Sequence, residues 1–528
     1  MGAQGITDHC FNAPQERVKY KGKDANYKWG GHHWTQTTWN KVHIIKAVYE
    51  FGVNVIHSDT DVVWFSDPLP FFHERLSGPV HVMMATDAVA TGNPVGDTGL
   101  EANTNPFTNI NTGIYFIKQY RDGLDMFKSW LDWQDKNIGH DQDGFNTMAR
   151  GSGFRHEDKH LPPAVLPADA TSNRYFYAAM HNTTGVSFLP ASMFGNTYTY
   201  VNARLWEKLK HPLYAIHWVW GGSTLESKRQ NMRDAMKFHD EPDYYTSPHL
   251  VTFDLDLLPT PGDYNNWMMT EEMIRFHVQA ANYQLQQAYY AFAIALIANR
   301  TLVMPRFQCY CSKNWYQTQQ CRINFEKATT FPFTCALSHV LRVKKLQAGF
   351  RLPDNTEYSG HRVLIREYSF LDNPKVPDSL KKSFVEIVPS QMPRAASLAA
   401  DALVVSVEPA PRGYGQRVTV AAPLSDRELR QVVGRFKNVR VLHFPQPART
   451  LSGFSTYATG EQYDVEIQKH VAYWCCRTPP DMQSMNLTDK VQLVALPPER
   501  YKNLPAHGGK SSYLHETGPI RRMPGQIF

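Results

Sequence analysis

At 528 residues the chain exceeds the roughly 250–300 residues at which a single hydrophobic core stops growing, so two domains are expected. With 42% hydrophobic, 12% aromatic and 20% charged residues it lies outside the regime of disordered chains, and a net charge of +6 from scattered Lys and Arg by itself argues for neither DNA binding nor a membrane-surface patch. The longest apolar run, Ala288 to Ala298, is 11 residues against the about 20 of a spanning helix, and no apolar signal segment follows Met1.

In chain order, residues 30–220 alternate helical and short apolar segments, the pattern of an α/β domain with a mainly parallel sheet. Val42, Ile45, Val48 and Tyr49 recur at helical spacing and Gly52 supplies a stop. The strand 53–58 then runs straight into Asp59-Thr60-Asp61. Further strands are expected at 80–85, 110–118, 186–189 and 214–219, with helices at 124–136 and 142–150. Pro259-Thr260-Pro261-Gly262 marks the boundary between a domain of residues 1–260 and one of residues 261–528. The second opens with a long helix over 270–298 and a strand over 300–304, and 389–415, rich in Pro and Ala, reads as an insertion or flexible loop.

Six of the seven cysteines (Cys309, Cys311, Cys321, Cys335, Cys475 and Cys476) fall in the second half, and only Cys10 in the first. Their spacing is not that of a zinc knuckle, so disulfides are favoured over free buried thiols and over metal. Glycosylation triplets at Asn182, Asn299 and Asn486 also fit a secretory lumen, although Asn299 is expected to be buried.

Three Asp-x-Asp triplets occur, and context separates them. In an open α/β sheet ligands sit beyond the carboxyl ends of strands, and only Asp59-Thr60-Asp61 directly ends a strongly apolar strand. Two carboxylates at that spacing can turn toward one divalent ion, which holds a diphosphate by its oxygens. Asp254/Asp256 alternates with apolar residues and reads as structural.

The sequence resembles a known family at Trp39-Asn40-Lys41, Asp59-Thr60-Asp61-Val62-Val63-Trp64 and Asp67-Pro68-Leu69-Pro70. The likeness continues through Asn109-Ile110-Asn111-Thr112-Gly113, His140-Asp141-Gln142-Asp143-Gly144, Leu189-Pro190-Ala191-Ser192, His217, Gly221-Gly222 and Lys228-Arg229. In the second half it reaches Asn282-Tyr283-Gln284-Leu285, the run from Asn299 to Pro305, Arg366-Glu367-Tyr368-Ser369-Phe370 and Trp474-Cys475-Cys476. These motifs resemble plant and algal glycosyltransferase family 77, and the later ones its extensin arabinosyltransferase branch, whose members extend arabinofuranose chains on hydroxyproline.

The resemblance implies a GT-A (nucleotide-diphospho-sugar transferase, Rossmann-like) α/β domain followed by a second mixed α/β domain. It implies transfer of a pentose, L-arabinofuranose from UDP-arabinofuranose, with retention, onto arabinosylated hydroxyproline of cell-wall glycoproteins. The alternatives are a xylosyl- or galactosyltransferase of the same family, or a non-catalytic sugar-binding relative. Partners are then a UDP-sugar donor and a hydroxyproline-rich glycoprotein, with no nucleic acid and no membrane contact from this chain itself. The expected location is the Golgi lumen.

Carried over residue by residue, Asp59, Asp61 and His217 match the metal ligands, the metal being divalent and manganese the expected ion. Asp59, Asp61, Lys41, Asn111, Gly221, Gly222 and Lys228 are the donor and phosphate group, with the lysines and glycine amides facing the departing diphosphate. Gln142 and Asp141 are the catalytic pair, Gln142 stabilising an oxocarbenium-like state and Asp141 holding hydroxyls. The bland readings are a core histidine for His217, surface lysines for Lys41 and Lys228, a helix cap for Asp141 and a turn residue for Asn111. Family members carry a further strand and helix upstream of this region, so the domain is expected to be truncated at its start, leaving a sheet edge open.

Overall fold

The computed structural model describes residues 31–152, 160–168, 173–222, 224–312, 318–324, 326–392, 394, 399–474 and 491–501. Cys10, Cys475, Cys476 and Asn486 lie outside these. The chain divides into two units, 1–200 with 204–217, and 201–203 with 218–528.

The first unit opens on helix His32–Tyr49 (α1), whose Trp39, Val42 and Tyr49 are buried, while Val48, expected on the same stripe, is exposed. Strands Val55–Ser58 (β1) and Val62–Trp64 (β2) flank the acidic triplet. Helix Leu69–His73 (α2), strands Val80–Thr86 (β3) and Ile110–Ile117 (β4), and helices Gly123–Lys136 (α3) and Asp141–Arg150 (α4) follow. Strands Phe176–Tyr177 (β5), Gly185–Phe188 (β6) and Phe194–Asn196 (β7), helix Leu205–Lys208 (α5) and strand Ala215–His217 (β8) complete it.

The main sheet has the order β1-β4-β3-β6-β5, and only the β3–β6 pairing is parallel. The expectation of a mainly parallel sheet is therefore corrected for this unit. Its physical source is clear in β3 and β4. Successive residues pack alternately into two cores: Val82, Met84, Tyr115 and Ile117 against α1, α3 and α4, and Met83, Ala85, Ile114 and Phe116 on the α2 side. A strand buried on both faces reads as a continuous apolar run, which in sequence mimics a parallel strand whatever its direction. A smaller sheet, β2-β8-β7, pairs β2 with β8 antiparallel and places Val62 opposite His217.

The second unit holds a seven-stranded sheet in the order Ile365–Arg366, Thr301–Val303, Leu250–Phe253, Val441–Phe444, Phe384–Pro389, Gln416–Val420, Val404–Pro409. All its pairings are parallel except the last. The 29-residue helix Thr270–Ala298 buries much of its length in the core of this unit, as the sequence predicts. The segment expected to be a loop at 389–415 contributes an edge strand, Val404–Pro409, hydrogen-bonded along Gln416–Val420. Disulfides join Cys309 to Cys335 and Cys311 to Cys321. Asn299 is exposed, which corrects the expectation of burial. It ends the long helix in a left-handed conformation at φ 50°, turning the chain into the next strand. Among the described residues, no helix is long and apolar enough to cross a membrane.

Candidate functional site

The site grows from the carboxyl end of β1. Asp59 N–H donates to Gly113 O at 2.8 Å, carrying the β1–β4 ladder one residue past the strand, and Val62 N–H returns to Asp59 O at 3.1 Å. The chain thus turns tightly through Asp59-Thr60-Asp61 into β2. Because β8 runs antiparallel to β2, His217 arrives beside Asp61, with Nε2 3.2 Å from Asp61 Oδ1 and 3.9 Å from Asp59 Oδ2. Ligand atoms of these three residues all fall within 4.8 Å of one another.

The opposite ring nitrogen fixes the histidine. His217 Nδ1 lies 3.1 Å from Asn111 Oδ1, which also accepts the Gly113 N–H at 2.8 Å. An atom accepting a backbone N–H is the amide oxygen, so Nδ1 is the donor and Nε2 carries the lone pair. Gly113 is required at this point: a Cβ there would stand 2.2 Å from His217 Cε1. Asn111 Nδ2 in turn donates to Asp87 Oδ1 at 2.9 Å, and Gln142 Nε2 reaches Asp87 Oδ2 at 3.4 Å. Gln142 Oε1 accepts Thr112 N–H at 3.2 Å. One hydrogen-bonded chain therefore connects His217, Asn111, Asp87 and Gln142.

Lys41 enters from α1, with Trp39 and Val42 buried on either side of it in sequence. Its ammonium lies 3.3 Å from Asp59 Oδ1 and 3.0 Å from Asp141 Oδ2, and donates to the Thr112 carbonyl at 3.2 Å. Burial works against this charge, but Asp141 and Asp59 outweigh it and hold the lysine pKa above its ordinary value. Burial would likewise raise Asp59. The His57 hydrogen bond at 3.1 Å and the Lys41 ammonium prevail and bring its carboxyl down to about 2. Asp59 is thus kept ionised.

Asp141 is not the cap of α4. His140 is, and Asp143 Oδ2 accepts the His140 N–H at 3.1 Å, so the second carboxylate of the Asp141-Gln142-Asp143 triplet closes the helix start. Asp141 points inward, 1% exposed, and its Oδ1 has no hydrogen-bond partner among the described residues. The same holds for the fully buried Tyr115 Oη on β4, whose ring stacks on His57 at 4.6 Å. Burial, then Asp141 and Asp59, push the Tyr115 phenol well above its usual pKa.

Of the residues singled out in the sequence, the first unit thus gathers Lys41, Asp59, Asp61, Asn111, Asp141, Gln142 and His217. Gly221, Gly222 and Lys228 belong to the second unit. There Gly221 O accepts from Asn231 Nδ2 at 3.1 Å and Ser338 Oγ at 3.0 Å, Gly222 takes φ +117°, and Lys228 lies on helix Leu225–Asp234 (α6). Sequence reasoning missed Asp87, His57 and Tyr115. Asp87 directly follows β3, so the rule that picked out Asp59 at the end of β1 also marks it.

Residues 6–232 match the family model described as nucleotide-diphospho-sugar transferase. This part of the chain is a nucleotide-diphospho-sugar transferase domain. Across 456 residues the chain is 28% identical to arabinosyltransferase XEG113 of Arabidopsis thaliana, covering 85% of this chain and 64% of that protein. It therefore spans less than two thirds of that relative. An uncharacterized Arabidopsis thaliana protein is 26% identical over 116 residues, 22% of this chain and 30% of that one. No solved structure matches. The transferase-domain match and the similarity to XEG113 bear out the resemblance to the extensin arabinosyltransferase branch of glycosyltransferase family 77.

The donor set of this transferase domain suits a divalent ion. Two carboxylates and one imidazole, with the imidazole lone pair aimed at them by Asn111, form a mixed oxygen and nitrogen site.

Proposed function

We propose that this chain is the catalytic part of a metal-dependent glycosyltransferase. It transfers L-arabinofuranose from UDP-arabinofuranose, with retention, onto arabinosylated hydroxyproline of cell-wall glycoproteins. The observation that carries the reading is the convergence of Asp59, Asp61 and His217 at the carboxyl end of β1, inside a nucleotide-diphospho-sugar transferase domain. The pentose is supported by the similarity to a protein named as an arabinosyltransferase. Two disulfides support a secretory location, here the Golgi lumen.

In this reading Asp59, Asp61 and His217 hold a divalent ion, manganese being the ion expected. When bound, it neutralises the charge that develops on the departing diphosphate. Lys41 keeps Asp59 ionised, holds Asp141 in place through an ion pair, and lends its own positive charge. The Asp141 Oδ1 and Tyr115 Oη, each buried and without a hydrogen-bond partner among the described residues, supply an acceptor and a donor for sugar hydroxyls. Gln142, its carbonyl anchored on Thr112 N–H, presents an amide dipole to the reacting sugar and steadies positive charge at the anomeric carbon.

The test is donor turnover by the full-length protein with UDP-arabinofuranose. Activity should vanish with chelator and return with manganese. Turnover that persists at full rate under chelation removes the metal site from the reading.

A further inference from the structure

The second unit carries an open groove of about 340 Å³ between two helix ends that nothing in the donor-site reading uses. One wall is helix Val343–Gln347 with the loop that follows, the other the last turn of helix Tyr457–His470. That volume is in the range of clefts that hold small organic ligands. Its chemistry has three parts.

The first is positive charge. Lys345 and Arg351 are exposed on the groove, and neither has an acidic partner among the described residues. The acid on the same wall, Glu466, is neutralised by Lys469 at 2.5 Å. The groove thus has a surplus of cations, which favours an anion. The second is a buried acceptor. His470 lines the groove at 8% exposure, and its Nδ1 lies 2.8 Å from Glu466 O, a carbonyl that can only accept. Nδ1 therefore carries the proton. Burial, with Lys345 and Arg342 nearby, holds the ring below its ordinary pKa and so neutral near pH 7. Nε2 is left as an acceptor, and no described residue donates to it. The third is an apolar edge, formed by Ala348, Leu352 and Pro353.

We propose that this groove is a second ligand site, for an acidic sugar: a hydroxylated ring bearing a carboxylate or a phosphate. A simple inorganic anion would use the two cations alone. An acidic sugar uses all three features, its acid group on Lys345 and Arg351, a hydroxyl donating to His470 Nε2, and its C–H face on Leu352 and Pro353. The site does not depend on the metal centre, so it stands or falls separately from the proposed transferase reaction.

The experiment is ligand binding to the full chain in chelator, which disables the donor site, read by calorimetry or saturation-transfer NMR. The probes are glucuronate, glucose 6-phosphate and neutral glucose. At least one acidic sugar should bind and glucose should not, with affinity falling as salt is raised toward about 0.5 M. Binding of only one acidic sugar supports the site and identifies its acid group. Lys345→Gln with Arg351→Gln, both at exposed positions, should weaken binding at least tenfold without moving the unfolding midpoint. The proposal is overturned if neither acidic sugar binds, if glucose binds equally well, or if the double variant binds as the parent does.

Discussion

Asn111 and His217, 106 residues apart in sequence, are locked together by a 3.1 Å contact from Nδ1 to Oδ1 that decides which nitrogen of the histidine faces Asp59 and Asp61. Removing the amide should leave the ring free to rotate and to place its proton on either nitrogen. Asn111→Ala is therefore expected to weaken manganese affinity roughly 10- to 100-fold, the usual cost of losing an outer partner of a metal ligand. Titrating manganese into the activity assay measures it. An unchanged midpoint would show that Asn111 does not orient the ligand.

The same corner makes Gly113 a steric test. A Cβ at this position would sit 2.2 Å from His217 Cε1 and 2.4 Å from Nδ1, so the imidazole must leave its place. Gly113→Ala should cost on the order of 1–3 kcal/mol of stability as an overpacked site. It should also abolish the rise in unfolding temperature that manganese gives the parent protein. Because the readout is the metal-dependent shift, a general loss of stability does not produce it by itself. A variant that is still stabilised normally by manganese would mean that His217 is not a ligand.

Much of this site was legible because its residues obey local rules. Asp59 and Asp61 end an apolar strand, Asn111 stands two residues before a glycine, and Asp141 opens a helix whose bounds the pattern placed within one residue. What escaped is what depends on pairing between distant segments. The direction of β4 against β1 and β3 was hidden because both its faces are buried. Asp87 ends an apolar strand as Asp59 does, but its link to the site shows only where Asn111 and Gln142 share its carboxylate, since no motif spacing connects residues 87, 111 and 142. The tautomer of His217 likewise depends on a neighbour across two sheets.

The cysteines give a chemical check. The pairs Cys309–Cys335 and Cys311–Cys321 occupy four of the seven thiols, leaving three at most to react. Protein made in an oxidising secretory compartment should show no more than three free thiols when counted under denaturing, non-reducing conditions. Finding six or seven would return the chain to a reducing compartment and remove the support for a lumenal location.

The last prediction separates holding the donor from acting on it. Asp61→Asn keeps size and shape but removes a charge opposite His217 Nε2, so donor binding and turnover should fall together. Gln142 stands elsewhere in the chain of contacts, tied to Thr112 N–H and Asp87 rather than to the carboxylates that would bind metal. Its amide matters more once charge develops on the sugar than in the bound ground state. Gln142→Ala should accordingly lower kcat while leaving KM nearly fixed. Loss of one oriented dipole in a water-poor site corresponds to about 2–4 kcal/mol of barrier, or roughly 30- to 1000-fold in rate. The control is Asp256→Asn, at an exposed position past the strand Leu250–Phe253 in the second unit, which should leave both constants alone. If Asp256→Asn abolished turnover while Asp61→Asn did not, the donor site would lie on the second unit's sheet and not at the end of β1.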